Sequence, residues 1–277
     1  MKINKLIGLM ALMGFCACAE TEHLENKPEY ISFSPTVTGS RATDTNFDEN
    51  DRIGVFAMID NGVNEPGGIG DNPYAKNVPY AFSGGKFTAM SQGIELNDNT
   101  GKMFYFAVYP YNSNLTDKYA FECRKDQSEY SGYTQSDLMV AYTDESTAEQ
   151  QVELKFMHIL SKAIINLKYT GLEVYSVTLS NVNYSVELDL KEGIFSSMDD
   201  KADVKMNFNG NKSYKAVITP QVFMKDEKFA TIETSVGTYS VRAANDIVLK
   251  AGMLKDIYVE LNATKGLNEM VCIAYTK

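Results

Sequence analysis

Tryptophan is absent from the 277 residues, histidine occurs twice, cysteine four times and proline seven times. Without tryptophan the chain advertises no indole platform for a sugar ring, and so little proline excludes a polyproline stalk. Two histidines far apart in sequence, His23 and His158, cannot assemble a metal cluster. Cys123 and Cys272 lack ligand spacing as well. Basic charge is also short. Lysine and arginine total 26 against 36 aspartates and glutamates, a net charge of −10. Nucleic-acid phosphates need a basic face, so nucleic acid is excluded as a partner. No apolar run is long enough to span a bilayer as a helix, which takes about 20 residues.

What is present points to β-structure. Apolar residues make up 44% of the chain and charged residues 22%, enough for a substantial core. Seventeen tyrosines and fourteen phenylalanines, with many Val, Ile and Thr, favour strands over helices. The N-terminus reads as an address rather than a fold. Lys2 and Lys5 precede an apolar run from Leu6 to Phe15, and the first acidic residue is Glu20. That is the layout of a secretory signal peptide over residues 1–17. The run ends at Phe15-Cys16-Ala17-Cys18, which resembles a bacterial lipobox. Ala17 supplies the small residue before the thiol, so Cys18 is the expected lipidation site and residues 18–29 the tether. Multiple acyl chains hold a protein to a membrane firmly where one does not.

Beyond the tether, strand signals recur about every ten residues, the rhythm of a β-sandwich. Tyr30 to Phe33 is expected to be the first strand, and Thr36 to Asn50, rich in Thr, Ser, Gly, Asp and Asn, a loop. Ile53 to Met58 and Met103 to Tyr109 are near-continuous apolar runs of strand length. Val152, Leu154 and Phe156 alternate with Glu153 and Lys155, and Tyr184 to Lys191 alternates as cleanly. Phe208-Asn209-Gly210-Asn211 carries the Asn-Gly hairpin signature. The polar stretch Thr143 to Gln150 is the natural boundary, giving an N-terminal domain of residues 30–148 and a C-terminal domain of residues 149–277.

Motifs for chemistry fail on inspection. Gly67-Gly68-Ile69-Gly70 lacks the Lys-Ser/Thr of a phosphate loop and opens no helix. Asp48 to Arg52 begins like a calcium loop, but Arg52 stands where an oxygen ligand is needed. No Gly-x-Ser-x-Gly elbow accompanies His158, which ends an amphipathic strand and reads as structural. The expectation is therefore no enzyme and no cofactor. Cys123 and Cys272 read as buried thiols, since nothing in the sequence demands their pairing.

One set of landmarks resembles a family. Ser40-Arg41-Ala42-Thr43-Asp44-Thr45, Asp51-Arg52-Ile53-Gly54-Val55, Phe104 to Tyr111, Ser136-Asp137-Leu138-Met139 and Phe156 to Lys162 follow in the order found in fimbrillins of Bacteroidota. The resemblance implies two β-sandwich domains of transthyretin-like type. It also implies export as a lipoprotein, display on the outer membrane, and assembly with other fimbrial subunits into a surface fimbria. In such assembly a trypsin-like protease cuts after an arginine near the mature N-terminus, here between Arg41 and Ala42, and releases the first strand. A neighbour's strand then fills the groove by β-augmentation. The donor expected here is the C-terminal segment Met270, Val271, Cys272, Ile273, Ala274 and Tyr275, apolar on both faces and preceded by the Gly-containing link Lys265 to Asn268. The same segment reads equally as an edge strand completing its own domain. The alternative function is a monomeric lipid-anchored adhesin or glycan-binding protein.

Overall fold

The computed structural model describes residues 29–38, 46–63, 67–96, 100–261 and 269–276, and these are almost wholly β-structure. The first strands are β1 (Ser32–Thr38), β2 (Arg52–Ile59), β3 (Ala75–Ser83), β4 (Lys86–Ala89), β5 (Met103–Tyr109), β6 (Lys118–Glu122), β7 (Met139–Tyr142) and β8 (Gln151–His158). All but β6 close into a barrel in the order β1-β4-β3-β2-β5-β7-β8, sealed by parallel pairing of β8 with β1. A five-residue helix α1 (Tyr130–Thr134) precedes β7.

The sequence periods follow from what each strand faces. Along β8 every second residue is buried, so Val152, Leu154 and Phe156 fill the barrel while Glu153 and Lys155 stay outside. Strand β5 is buried on both faces, as is β2 from Ile53 to Met58. Their inward side chains, among them Val55, Tyr105 and Ala107, join the barrel core. Phe56, Met58, Phe104 and Phe106 face outward into a second, larger core shared with the rest of the chain. A strand with two apolar faces loses its alternation.

Close approach fixes one residue of β2. A Cβ on Gly54 would lie 2.0 Å from Asn77 Oδ1 and 3.3 Å from a ring carbon of Tyr111. Asn77 itself takes φ 49° beside a register shift in the β2–β3 ladder. Gly54→Ala should therefore destabilise the protein by about 1–3 kcal/mol, the usual cost of overpacking. Urea unfolding measures it; an unchanged midpoint would mean that Asn77 simply moves aside.

The remaining strands are β9 (Ser161–Lys168), β10 (Val174–Asn183), β11 (Ser185–Asp189), β12 (Ile194–Ser197), β13 (Lys201–Lys205), β14 (Asn207–Phe208), β15 (Ser213–Ile218), β16 (Gln221–Phe223), β17 (Lys228–Thr234), β18 (Gly237–Ala243), β19 (Ile247–Leu249), β20 (Leu254–Glu260) and β21 (Glu269–Tyr275). Nine of them form one sheet, β13-β10-β17-β18-β21-β20-β9-β15-β14. Strands β16 and β19 pair separately, and β12-β11-β6 make a three-stranded sheet. The hairpin expected at Asn209-Gly210 joins β14 to β15, with Gly210, Asn211 and Lys212 all at positive φ.

Three expectations need correction. The first strand runs Ser32–Thr38 rather than Tyr30 to Phe33, because Thr36, Val37 and Thr38 continue the parallel ladder onto Lys155, Phe156 and Met157. Loop-like composition hid that extension. The polar stretch 143–150 is an intra-barrel connection, and β8, assigned to residues 149–277, belongs to the barrel. Sheet membership changes instead between His158 and Ser161. The N-terminal unit is a closed barrel, and the two halves are joined further where β6 pairs with β11.

Candidate functional site

The two terminal strands are the candidate functional elements. Strand β1 is bonded asymmetrically. Among the described residues, all seven of its residues pair with β8 on one flank, while on the other only Phe33 pairs, with Phe87 of β4. Pro35 suits the barer flank, since it has no N–H to donate. Side chains reinforce the β8 side. The Thr36 hydroxyl donates to Glu153 at 3.2 Å, and the Gln151 amide donates to Ser34 at 2.7 Å. Inside the barrel Phe33 is fully buried, edge-on to Tyr80 at 5.0 Å and Tyr105 at 5.2 Å. The interior excludes water well enough that burial pushes Tyr80 up to about 12.

Strand β21 lies inside its sheet rather than at an edge. It runs parallel to β18 over six partners, Thr238↔Glu269 to Ala243↔Ala274, and antiparallel to β20 at Tyr258↔Tyr275 and Val259↔Ala274. Tyr258 and Tyr275 stack at 5.8 Å. The segment was expected to bury both faces, but Cys272 and Ala274 are buried while Ile273 and Tyr275 are 52% and 46% exposed. One side of this sheet carries the core and the other meets solvent, so an apolar outer residue need not be covered. Met270 and Val271 stand in register with Tyr239 and Ser240. Cys18, Arg41, Ala42 and the link Lys265 to Asn268 lie outside the described residues.

Cys123 and Cys272 are buried thiols that are not joined by a disulfide, and the Cys123 thiol donates to Ser136 O at 3.9 Å. Burial pushes the Cys272 thiol from 9.0 up to about 11. A thiol that titrates higher when folded lowers stability as pH rises from about 9 to about 11, because thiolate then forms more readily in the unfolded chain. The same burial makes Cys272 a reporter of β21. In a Cys123→Ala background at pH 8, a disulfide reagent should label it on the order of a hundredfold more slowly than in unfolded chain. Labelling at the unfolded rate would show that β21 does not stay in its slot.

The junction of the two halves is held by buried polar groups that sequence reading did not find. His158 Nδ1 lies 2.9 Å from Asp137 Oδ1 with both side chains buried, which fits the structural role expected for this histidine. Lys162 and Lys215, also buried, hold their ammonium groups 5.6 Å and 4.1 Å from the centre of the Tyr133 ring. Gln127 is fully buried: its amide donates to Val217 O at 2.7 Å and accepts from Val217 N at 2.9 Å. It satisfies β15 as a neighbouring strand would. Among the described residues, no group of three or more His, Cys, Asp or Glu is placed to hold a metal.

Two of the hollows differ in lining. One, of about 250 Å³, is lined by Phe47, Asp48, Asp51, Tyr109, Tyr130 and Asp137. Its hydroxyls are engaged, Tyr109 donating to Asp51 and Tyr130 to Asp48, each at 3.1 Å. Burial raises the Asp51 carboxyl above its usual range. The other is a cleft of about 560 Å³ between the loop leaving β5 and strand β6.

The architecture defines an all-β protein of two joined units, with its first described strand laid into one and its last into the other. Residues 40–274 match the model of the fimbrillin-like family, and the chain belongs to that family. Its fold is similar to a provisionally assigned cell adhesion protein of Bacteroides uniformis, at 17% identity and a TM-score of 0.64, over 89% of this chain and 96% of that one. A counterpart from Bacteroides ovatus gives 15% and 0.63 over 91% and 96%. One from Bacteroides thetaiotaomicron gives 17% and 0.52 over 84% and 93%. No curated protein matches the sequence.

Proposed function

We propose that this chain is a subunit of a surface fimbria, exported as a lipoprotein through Cys18 and assembled by strand exchange. Its two β-units, divided after His158, then correspond to the family's two transthyretin-like domains. The observation that carries the reading is the one-sided bonding of β1, the strand that ends at Thr38, shortly before Arg41. Cutting after Arg41 by a trypsin-like protease separates β1 from everything that follows it. The strand then stays by pairing alone, and its departure leaves a barrel gap edged by β4 and β8. Strand β21 of a neighbouring subunit is the proposed occupant, with backbone pairing for affinity and alternating side chains for register. Such a head-to-tail contact does not close and gives filaments.

Surface-sheared material from the native bacterium tests this. A ladder of multimers that collapses only on strong heating is expected, with Ala42-Thr43-Asp44 at the subunit N-terminus, and an Arg41→Ala chain should stay monomeric. Unassembled precursor should show acyl chains on an N-terminal Cys18 by intact mass. Cys18 at the N-terminus of assembled material would overturn the cleavage step. A second reading, a monomeric lipid-anchored adhesin, is favoured by the interior position of β21, which completes its own sheet. Its signature is the absence of any ladder.

A further inference from the structure

The cleft between the loop leaving β5 and strand β6 differs in chemistry from the terminal strands. It is lined by Tyr119, Phe121 and Glu122 of β6, by the loop Pro110 to Ser113, and by Arg124 and Gln135. We infer that this cleft binds a short neutral oligosaccharide. The inference goes beyond the assembly reading and does not depend on it, since no residue of β1 or β21 lines the cleft.

Charge narrows the ligand class first. One arginine stands against one glutamate, both exposed, so the cleft has no net charge to hold a phosphate or a polyanion. Its volume lies within the range of small-molecule sites, about 300–1,000 Å³. Two charged side chains in the lining favour a ligand that can hydrogen-bond to them over a wholly apolar one.

A sugar ring matches what remains. It presents a face of C–H groups, which packs on a half-buried tyrosine ring, and an edge of vicinal hydroxyls. Guanidinium, carboxylate and carboxamide groups each offer two coplanar hydrogen-bonding atoms suited to such a pair. Tyr111 and Tyr119 are half-buried and supply ring surface, while Arg124, Glu122 and Gln135 supply the planar groups. Tyrosine does here what the missing tryptophan would do elsewhere, with a hydroxyl that also bonds.

The rim is set before any ligand arrives. Asn112 Nδ2 donates to the Tyr119 hydroxyl at 2.9 Å, leaving that hydroxyl's own proton to donate. The Asn112 carbonyl accepts from Asn77 Nδ2 at 2.8 Å, and Asn77 in turn fills the space left by Gly54. Arg124 Nη2 donates to Gln135 Oε1 at 3.1 Å, which holds the two planar groups side by side. Groups already ordered lose less entropy on binding.

The test is calorimetric titration of the folded chain with maltohexaose, xylohexaose, mannopentaose and triacetylchitotriose, alongside a heparin hexasaccharide and inorganic phosphate. Tyrosine fluorescence gives a second readout, undisturbed because tryptophan is absent. Binding of at least one neutral probe is expected, weakened about tenfold or more by Arg124→Ala and by Tyr111→Ala, as loss of one charge-assisted bond or one stacking face implies. Lys155→Ala, outside the cleft, should change nothing. If Tyr111→Ala misfolds, Arg124→Ala and Gln135→Ala, both at exposed positions, decide. Failure of every neutral probe, binding confined to the anionic ones, or affinity unchanged in the rim variants would each overturn the inference. Multimer ladders should be identical in all these variants, so a failure here is distinct from a failure of assembly.

Discussion

Deleting Glu269 to Lys277 should give a chain that folds with an open slot and regains its stability when the missing strand is added back as a peptide. Both neighbours of the slot are anchored from their far sides. Strand β18 pairs with β17 over six partners, and β20 pairs with β9 over seven. Removing β21 therefore bares two ladder edges without detaching either strand. The loss comprises its ladder bonds and the burial of Cys272 and Ala274, on the order of 5 kcal/mol. That is a large share of a normal domain's stability, about 5–15 kcal/mol, but does not exceed it. Urea unfolding of the truncated chain, alone and with a peptide of residues 268–277, measures both effects. One-to-one binding with recovery of the midpoint supports a strand able to act in trans. A truncated chain that stays unfolded with peptide present would assign β21 permanently to its own core and remove the donor role.

Phe33→Ala should have the next largest effect. The ring is fully buried between Tyr80 and Tyr105, at a position where β1 pairs with both β4 and β8. Truncating such a phenylalanine costs about 3–5 kcal/mol through lost transfer energy and the cavity left behind. The effect has a second reading in assembly. After cleavage at Arg41, wild-type β1 should remain with the barrel on gel filtration, whereas the variant should shed it. A loss below about 1 kcal/mol would mean that β1 contributes little to the barrel, and pairing with β8 alone would then hold it.

Much of the strand inventory was legible because burial imposes a period on sequence. The alternation in β8 and β11 and the continuous runs of β2 and β5 translate directly into one-face and two-face burial. Where a strand's role is set by partners distant in sequence, that signal fails. Thr36 to Thr38 looks like loop, yet these residues pair with Lys155 to Met157. The buried partners of Asp137, Lys162 and Lys215 were invisible for a related reason. Polar side chains are read as solvent-facing unless their partners are known, and these partners come from β8 and α1. Of the cleft, only Pro110 and Tyr111, which end the landmark Phe104 to Tyr111, stood out in sequence.

By itself the sequence determined the all-β class and the family. These are local: a period of two, a run of apolar residues, an ordered set of short motifs. The tertiary structure alone decided that β8 closes the barrel onto β1, and that the last strand lies between β18 and β20 with one face in the core. It also decided that a cleft holding Tyr111 and Tyr119 opens between the loop leaving β5 and strand β6. The reason is physical. A strand carries the same alternation whichever neighbour it pairs with, so partner choice is settled by long-range packing of whole faces.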